Sequence, residues 1–274
     1  MTNNCQAAPA FSPRMVRTLL SWGWARSDFA EEFRRLSDAG AFRPDGGTSE
    51  VIWRTRTKFV LRAHTSLGFD VAYKSFFEVK NVHHYLLRPS PCADEAANYA
   101  LLKEMGFPLP DLLATGELRR GPLLKNAFMV SRFVEGFRNG TDFFGEGEHV
   151  NDEALLKEFC RAHLALLAKL HDRGYLHGGF TPANLLYRRE PDGGLKLCWV
   201  DVAECSRSPL TVPMIADDII RLFRYLKISS KVRRELEAAY LEAAKVPRTT
   251  ADELYDVLEK RIATRLKPWA VMAE

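Results

Sequence analysis

The chain has 274 residues, 46% of them hydrophobic and 27% charged, which is enough apolar material for one large domain or two lobes sharing a core. Lys and Arg total 39 against 35 Asp and Glu, and the resulting formal net charge of +4 falls short of the footprint of a nucleic-acid binder. The 5 cysteines form no C-x-x-C pair, the N-terminus has no basic stretch leading into an apolar core, and no apolar run reaches the ~18 residues of a membrane span. These features argue against a disulfide scaffold, a zinc site, a secretory leader and a transmembrane helix, and they predict a cytoplasmic protein with free thiols.

Residues 1–50 are read as an N-terminal extension, residues 51–134 as a small strand-rich lobe and residues 135–274 as a larger helical lobe. From Val51 to Ala63 the chain is rich in β-branched and aromatic residues, and that character resumes from Phe69 to Phe77 after a turn at Ser66-Leu67-Gly68. Antiparallel strands follow from this pattern. Ala93 to Met105 has helix formers and ends at Gly106, a suitable residue to close a helix, with Pro108 beyond. Two more strands are expected at Leu112–Leu118 and Ala127–Phe133, and the polar passage from Glu135 to Glu148 marks the lobe boundary.

In the second half, Asn151 or Asp152 caps a helix whose apolar residues Leu155, Leu156, Phe159, Leu166, Leu167 and Leu170 fit a 3.6-residue period. Strands at Leu185–Tyr187 and Leu195–Val200 flank the hairpin signal Asp192-Gly193-Gly194, and helical patterns run over Met214–Leu226 and Lys231–Lys245. Near the C-terminus Lys260, Arg261, Arg265 and Lys267 lie at helical spacing among Ile262, Leu266 and Trp269. A packed terminal helix with a basic solvent face is the expected reading, with a membrane-surface helix as the alternative. His83-His84 beside Tyr85 reads as a surface or lobe-linking feature, and His171 with His177 lacks the i, i+4 spacing of two helical metal ligands.

Four polar positions stand in an order that suits phosphoryl transfer, which needs a phosphate clamp, metal ligands and a group to orient the nucleophile. Val71-Ala72-Tyr73-Lys74 fits the V-A-x-K strand that aims a lysine at nucleotide phosphates. Glu95 lies on the helix that follows, where its carboxylate can pair with Lys74, with Asp94 and Glu104 as competitors. In the segment from Leu170 to Asn184, Asn184 stands seven residues after His177, the spacing of the H-R-D-x-x-x-x-N catalytic loop. Asp201 ends the apolar run Leu195–Val200, where a carboxylate can bind a cation that bridges phosphates. Each alone has a bland reading: a solvated strand lysine, a first-turn helix acid, a turn asparagine, a strand-end aspartate. Their shared order makes the case for an α+β, two-lobed protein-kinase-like fold, with one key helix in the β-rich N-lobe.

With the Arg88-Pro89-Ser90 stretch, Met105-Gly106-Phe107-Pro108-Leu109-Pro110, Leu113-Ala114-Thr115-Gly116 and Asp217-Asp218 opening a helix, the chain resembles the lipopolysaccharide kinase family, whose members phosphorylate heptose or Kdo sugars. The resemblance spans Val51 to Leu226. It implies ATP and Mg as cofactors, with Lys74 and Glu95 at the nucleotide and Asn184 and Asp201 at the metal. It also implies lipopolysaccharide core oligosaccharide as substrate and work at the cytoplasmic face of the inner membrane.

Three departures qualify the likeness. No G-x-G-x-x-G precedes Lys74, the D-F-G triplet reads Asp201-Val202-Ala203, and Gly179 stands where the loop aspartate would accept the attacking hydroxyl's proton. Two functions are therefore expected from the sequence: a sugar kinase, or a catalytically impaired pseudokinase that binds nucleotide or regulates a partner. The bland reading of Gly178-Gly179 is a pair of small residues that permits a tight loop.

Overall fold

The computed structural model describes residues 22–45, 48–77, 85–86, 88–244 and 248–265. His83 and His84, together with Leu266, Lys267 and Trp269, lie outside the described residues. The chain divides into two units, one of residues 1–101 and 111–133, the other of residues 102–110 and 134–274.

The first unit is built on a six-stranded antiparallel sheet. In chain order its elements are β1 (Trp22–Ala25), α1 (Ala30–Asp38), β2 (Glu50–Arg54), β3 (Lys58–His64), β4 (Asp70–Phe77), α2 (Pro91–Glu104, whose last turn groups with the second unit), β5 (Leu112–Arg120) and β6 (Leu123–Arg132). The strand order is β1-β5-β6-β4-β3-β2. The stretch from Val51 to Ala63, legible as strand, is two strands. At the break Thr55 Oγ1 accepts the Thr57 and Lys58 amides while the Thr55 amide donates to the Lys58 carbonyl, which closes a turn.

The alternation along β3 and β4 sends Phe59, Leu61, Val71 and Tyr73 into a core covered by Leu36 of α1 and by Phe29 just before that helix. Phe42 stacks on Tyr73 with ring centres 4.3 Å apart, and Phe33 stacks on Phe128 at 5.4 Å. A fully buried phenyl ring contributes roughly 1.5–3 kcal/mol, and Phe33 and Phe128, only partly buried, contribute less. β1 can lie beside β5 because position 116 has no side chain: a Cβ there would sit 2.8 Å from the Trp22 carbonyl oxygen and 2.7 Å from the Phe128 ring. β2, at the opposite edge, leaves Val51, Ile52 and Trp53 exposed and carries a register shift between Val51 and Trp53.

The second unit contains β7 (Arg138–Asn139), α3 (Glu153–Asp172), β8 (Tyr175–Leu176), β9 (Leu185–Arg189), β10 (Leu195–Trp199), β11 (Ser206–Arg207), α4 (Val212–Phe223), α5 (Ser230–Ala243) and α6 (Arg248–Arg265). Strands β10, β9 and β7 form one small sheet, and β11 pairs with β8. Asp152 caps α3 by accepting the Leu155 amide, and the helix buries Leu155, Leu156, Phe159, Cys160, Leu164 and Leu167. Phe159 packs against Phe143 and Tyr187, joining α3 to β9. At its C-terminal end α2 closes with the Gly106 amide on the Lys103 carbonyl and the Phe107 amide on that of Leu102. Helix α6 buries Leu254, Leu258 and Ile262, and its Arg261 pairs with Asp217 of α4. Among the described residues no helix is long and apolar enough to cross a membrane.

Candidate active site

In the first unit Lys74 projects from the middle of β4, which is flanked on both sides by strands and held in register by β3 and β6. Its Nζ lies 2.7 Å from Glu95 Oε2, with the glutamate side chain 1% exposed and the lysine 13%. The carboxylate that meets Lys74 is thus Glu95, one turn into α2, and not its sequence neighbour Asp94 or the more distant Glu104. A pair this enclosed is more strongly coupled than an exposed ion pair, and removing either partner leaves a buried charge uncompensated.

The placement of Glu95 depends on how the chain enters α2. Ser90 caps the helix, its Oγ accepting the Ala93 amide at 3.1 Å, and its own amide donates to Glu117 Oε1 at 2.7 Å. The other Glu117 oxygen takes Arg119 Nε at 2.7 Å, and the Arg119 guanidinium donates onward to the carbonyls of Tyr85 and Arg88, each at 2.9 Å. Two buried residues of β5 therefore fix the segment that aims Glu95. Neither is prominent in the sequence, where an i, i+2 Glu-Arg pair in a strand reads as a solvent face; only burial distinguishes it.

In the second unit the segment 177–184 is anchored from α4. Asp218 Oδ2 accepts the His177 amide at 2.8 Å, and Oδ1 accepts the Gly178 amide at 2.9 Å. His171 Nε2 lies 3.2 Å from the same Oδ2, and His171 Nδ1 lies 2.7 Å from the Tyr240 hydroxyl, so α3, α4 and α5 converge on the loop. Burial would push the Asp218 carboxyl up, but the His171 hydrogen bond and charge with the loop amides outweigh it and hold it below the ordinary range. His171 braces the loop, with both of its ring nitrogens engaged.

His177 is wholly buried, edge-on to Phe180 and Trp199, and burial pulls its pKa down to about 4. His163, equally buried, has its pKa lowered to about 3 for the same reason, and its Nδ1 is 3.0 Å from the Trp199 indole nitrogen. The indole N–H donates, so the imidazole is neutral with its proton on Nε2.

Asn184 Nδ2 donates to the Gly179 carbonyl at 2.9 Å, and the Asn184 carbonyl accepts the Val200 amide at 2.9 Å. The end of β10, and Asp201 after it, are thereby tied to the loop. Asp201 has φ 55°, a left-handed conformation that no other non-glycine residue adopts among those described. Such a backbone costs roughly 1 kcal/mol or more and is kept only where its surroundings enforce it.

The two loop glycines differ. Gly178 has φ +74°, and a Cβ on it would lie 2.7 Å from both the Cβ and the carbonyl oxygen of Glu204. Gly179 has no positive φ, and its Cβ would meet nothing nearer than Asn184 Nδ2 at 3.5 Å and the Asp201 carbonyl oxygen at 3.6 Å, ordinary contacts. The tight loop demands glycine at 178 and accepts a side chain at 179.

The pattern of the lipopolysaccharide kinase (Kdo/WaaP) family matches residues 72–242, more than half of the chain. The chain belongs to that family. A comparison with curated proteins found no match. Among solved structures, one described as "WaaP in complex with acyl carrier protein" aligns over 90% of this chain and 100% of its own, with a TM-score of 0.62 at 14% identity. At that identity the likeness is one of fold. The fold of this lipopolysaccharide kinase family member is protein-kinase-like, as the order of its motifs predicts.

Proposed function

We propose that this chain is an ATP- and Mg2+-dependent phosphotransferase that acts on a sugar hydroxyl of the lipopolysaccharide core at the cytoplasmic face of the inner membrane. The observation that carries the reading is the buried Lys74–Glu95 pair, 2.7 Å apart on the strand and helix where a kinase holds its phosphate clamp. Glu95 fixes the ammonium of Lys74, and Lys74 binds the nucleotide phosphates.

The residues of the second unit fit a cation that arrives with nucleotide. Among the described residues no three His, Cys, Asp or Glu side chains converge as metal ligands. Mg2+ instead uses one or two protein oxygens beside substrate phosphates. Asn184, whose amide nitrogen is engaged by the Gly179 carbonyl and whose oxygen is left to accept, and Asp201, held in an enforced conformation, supply that sparse set. When bound, the metal neutralises phosphate charge, while these two residues orient it.

A second reading, a nucleotide-binding pseudokinase, is favoured by the absence of a carboxylate at position 179. Thermal shift with ATP and Mg2+ tests the clamp. A rise in Tm that Lys74→Ala abolishes is expected, and no shift in the native chain at millimolar nucleotide overturns both readings. Transfer of phosphate to core oligosaccharide then separates them: activity in the native chain supports the kinase, and activity only in Gly179→Asp supports the pseudokinase.

A further inference from the structure

The loop segment lacks its proton acceptor, yet a glutamate, Glu204, packs against it. We propose that Glu204 is the general base that replaces the missing aspartate at position 179. This rests on the phosphotransferase reading and names the residue that completes it.

Glu204 sits in the turn after Asp201, closed by the Cys205 amide on the Val202 carbonyl at 3.1 Å. Its Cβ leans on Gly178 so closely that a Cβ there would be 2.7 Å away. The stem thus begins against the residue that precedes Gly179, one Cα–Cα step of ~3.8 Å from it. From that Cβ a glutamate carries its carboxylate oxygens three bonds further, through Cγ and Cδ, a reach comparable to that step. Its side chain is 67% exposed, open to an incoming hydroxyl, and Arg221 Nη1 lies 3.3 Å from Oε2. Arg221 is on α4, three residues after Asp218, so the helix that fixes the loop through its amides also steadies the glutamate.

The other carboxylates nearby are differently placed. Asp218 is buried and accepts the His177 and Gly178 amides, and Asp217 pairs with Arg261. Asp201 presents its backbone carbonyl to position 179. Gly178, demanded by the close approach of Glu204, is what makes the approach possible.

In the step assigned to Glu204, the acceptor O–H gives its proton to a Glu204 oxygen as the acceptor oxygen bonds to the γ-phosphorus. The bond from that phosphorus to the β,γ-bridging oxygen breaks, and its electron pair leaves with ADP. Glu204 then returns the proton to water.

The test uses the full chain with ATP and Mg2+, de-acylated core oligosaccharide bearing heptose and Kdo as acceptor, and water as the intrinsic acceptor. Glu204→Gln is expected to lower kcat on the order of 10² to 10³-fold, the usual loss of a positioned base. The KM for ATP and the nucleotide-induced rise in Tm stay at native values. Adding Gly179→Asp to Glu204→Gln restores at least tenfold. A native-like kcat in Glu204→Gln overturns the proposal while leaving the phosphotransferase reading intact. A silent native chain activated by Gly179→Asp also overturns it and favours the pseudokinase. A native chain that neither turns over nor binds ATP removes the underlying reading, and the proposal falls with it.

Discussion

At position 178 the backbone runs at φ +74° with Glu204 pressed against it, while at position 179 it takes an ordinary conformation with room for a side chain. The two neighbouring glycines therefore respond oppositely to substitution. Gly178→Ala combines a left-handed penalty with overlap onto Glu204 backbone and is expected to cost about 1–3 kcal/mol or more. Gly179→Asp is expected to stay within about 1 kcal/mol of native, since nothing it would touch is nearer than ordinary contact. Urea denaturation of both variants checks this, and equal destabilisation would contradict the geometry. The sequence makes the pair look like one flexible unit. Backbone dihedrals and a neighbour 26 residues away, neither written locally, separate them.

At the scale of elements, helix α4 holds the loop by a single side chain, Asp218, that receives two backbone amides. Asp218→Ala leaves both donors and the His171 imidazole without their acceptor. Each buried donor left unmade costs about 1–3 kcal/mol, so a loss of roughly 2–5 kcal/mol is expected in chemical denaturation, with nucleotide-induced stabilisation reduced as well. Loss of less than about 1 kcal/mol would show that the loop stands without α4. The pair Asp217-Asp218 reads in the sequence as the opening of a helix, but it falls in the middle of α4, and which of the two turns inward is not written locally: Asp218 is buried, and Asp217 pairs with Arg261. In the same way Lys74, Glu95, Asn184 and Asp201 are legible because each falls at a fixed spacing from a local pattern. Glu117, Arg119, His171 and Tyr240, which position them, are joined only through tertiary contact and follow no local rule.

For the molecule as a whole, the two wholly buried neutral histidines make the second unit acid-sensitive. Their pKa values are lowered from the usual 6.5 to about 4 for His177 and about 3 for His163. As the pH falls below 6.5 the unfolded chain takes up a proton at each position that the folded chain refuses, so stability is lost progressively from pH 6.5 down to those values. By pH 4 the loss is on the order of 3 kcal/mol for each. A scan of Tm from pH 7.5 to 4.5 is expected to fall steeply below 6.5, and His177→Phe is expected to flatten part of that slope. A Tm unchanged to pH 5 would rule out the buried neutral state. Strand and helix periodicities made most of β3 to α5 readable. β1 and α1 escaped because four residues of strand and a nine-residue helix whose only large apolar residues are Phe33 and Leu36 carry too little pattern to stand out from an extension.

Those two elements bear on where the protein can be cut. The family likeness begins at residue 72, but the sheet does not. A chain trimmed to residues 72–242 would lose β1, β2 and β3 from the order β1-β5-β6-β4-β3-β2, stripping both edges and leaving three strands with their outer ladders bare. It would also lose Phe29, Leu36 and Phe42 from one core and α6, packed on α4, from the other. The span matched by the family pattern is thus narrower than the span that folds, and the strand bearing Lys74 owes its place inside the sheet to residues that the pattern does not reach.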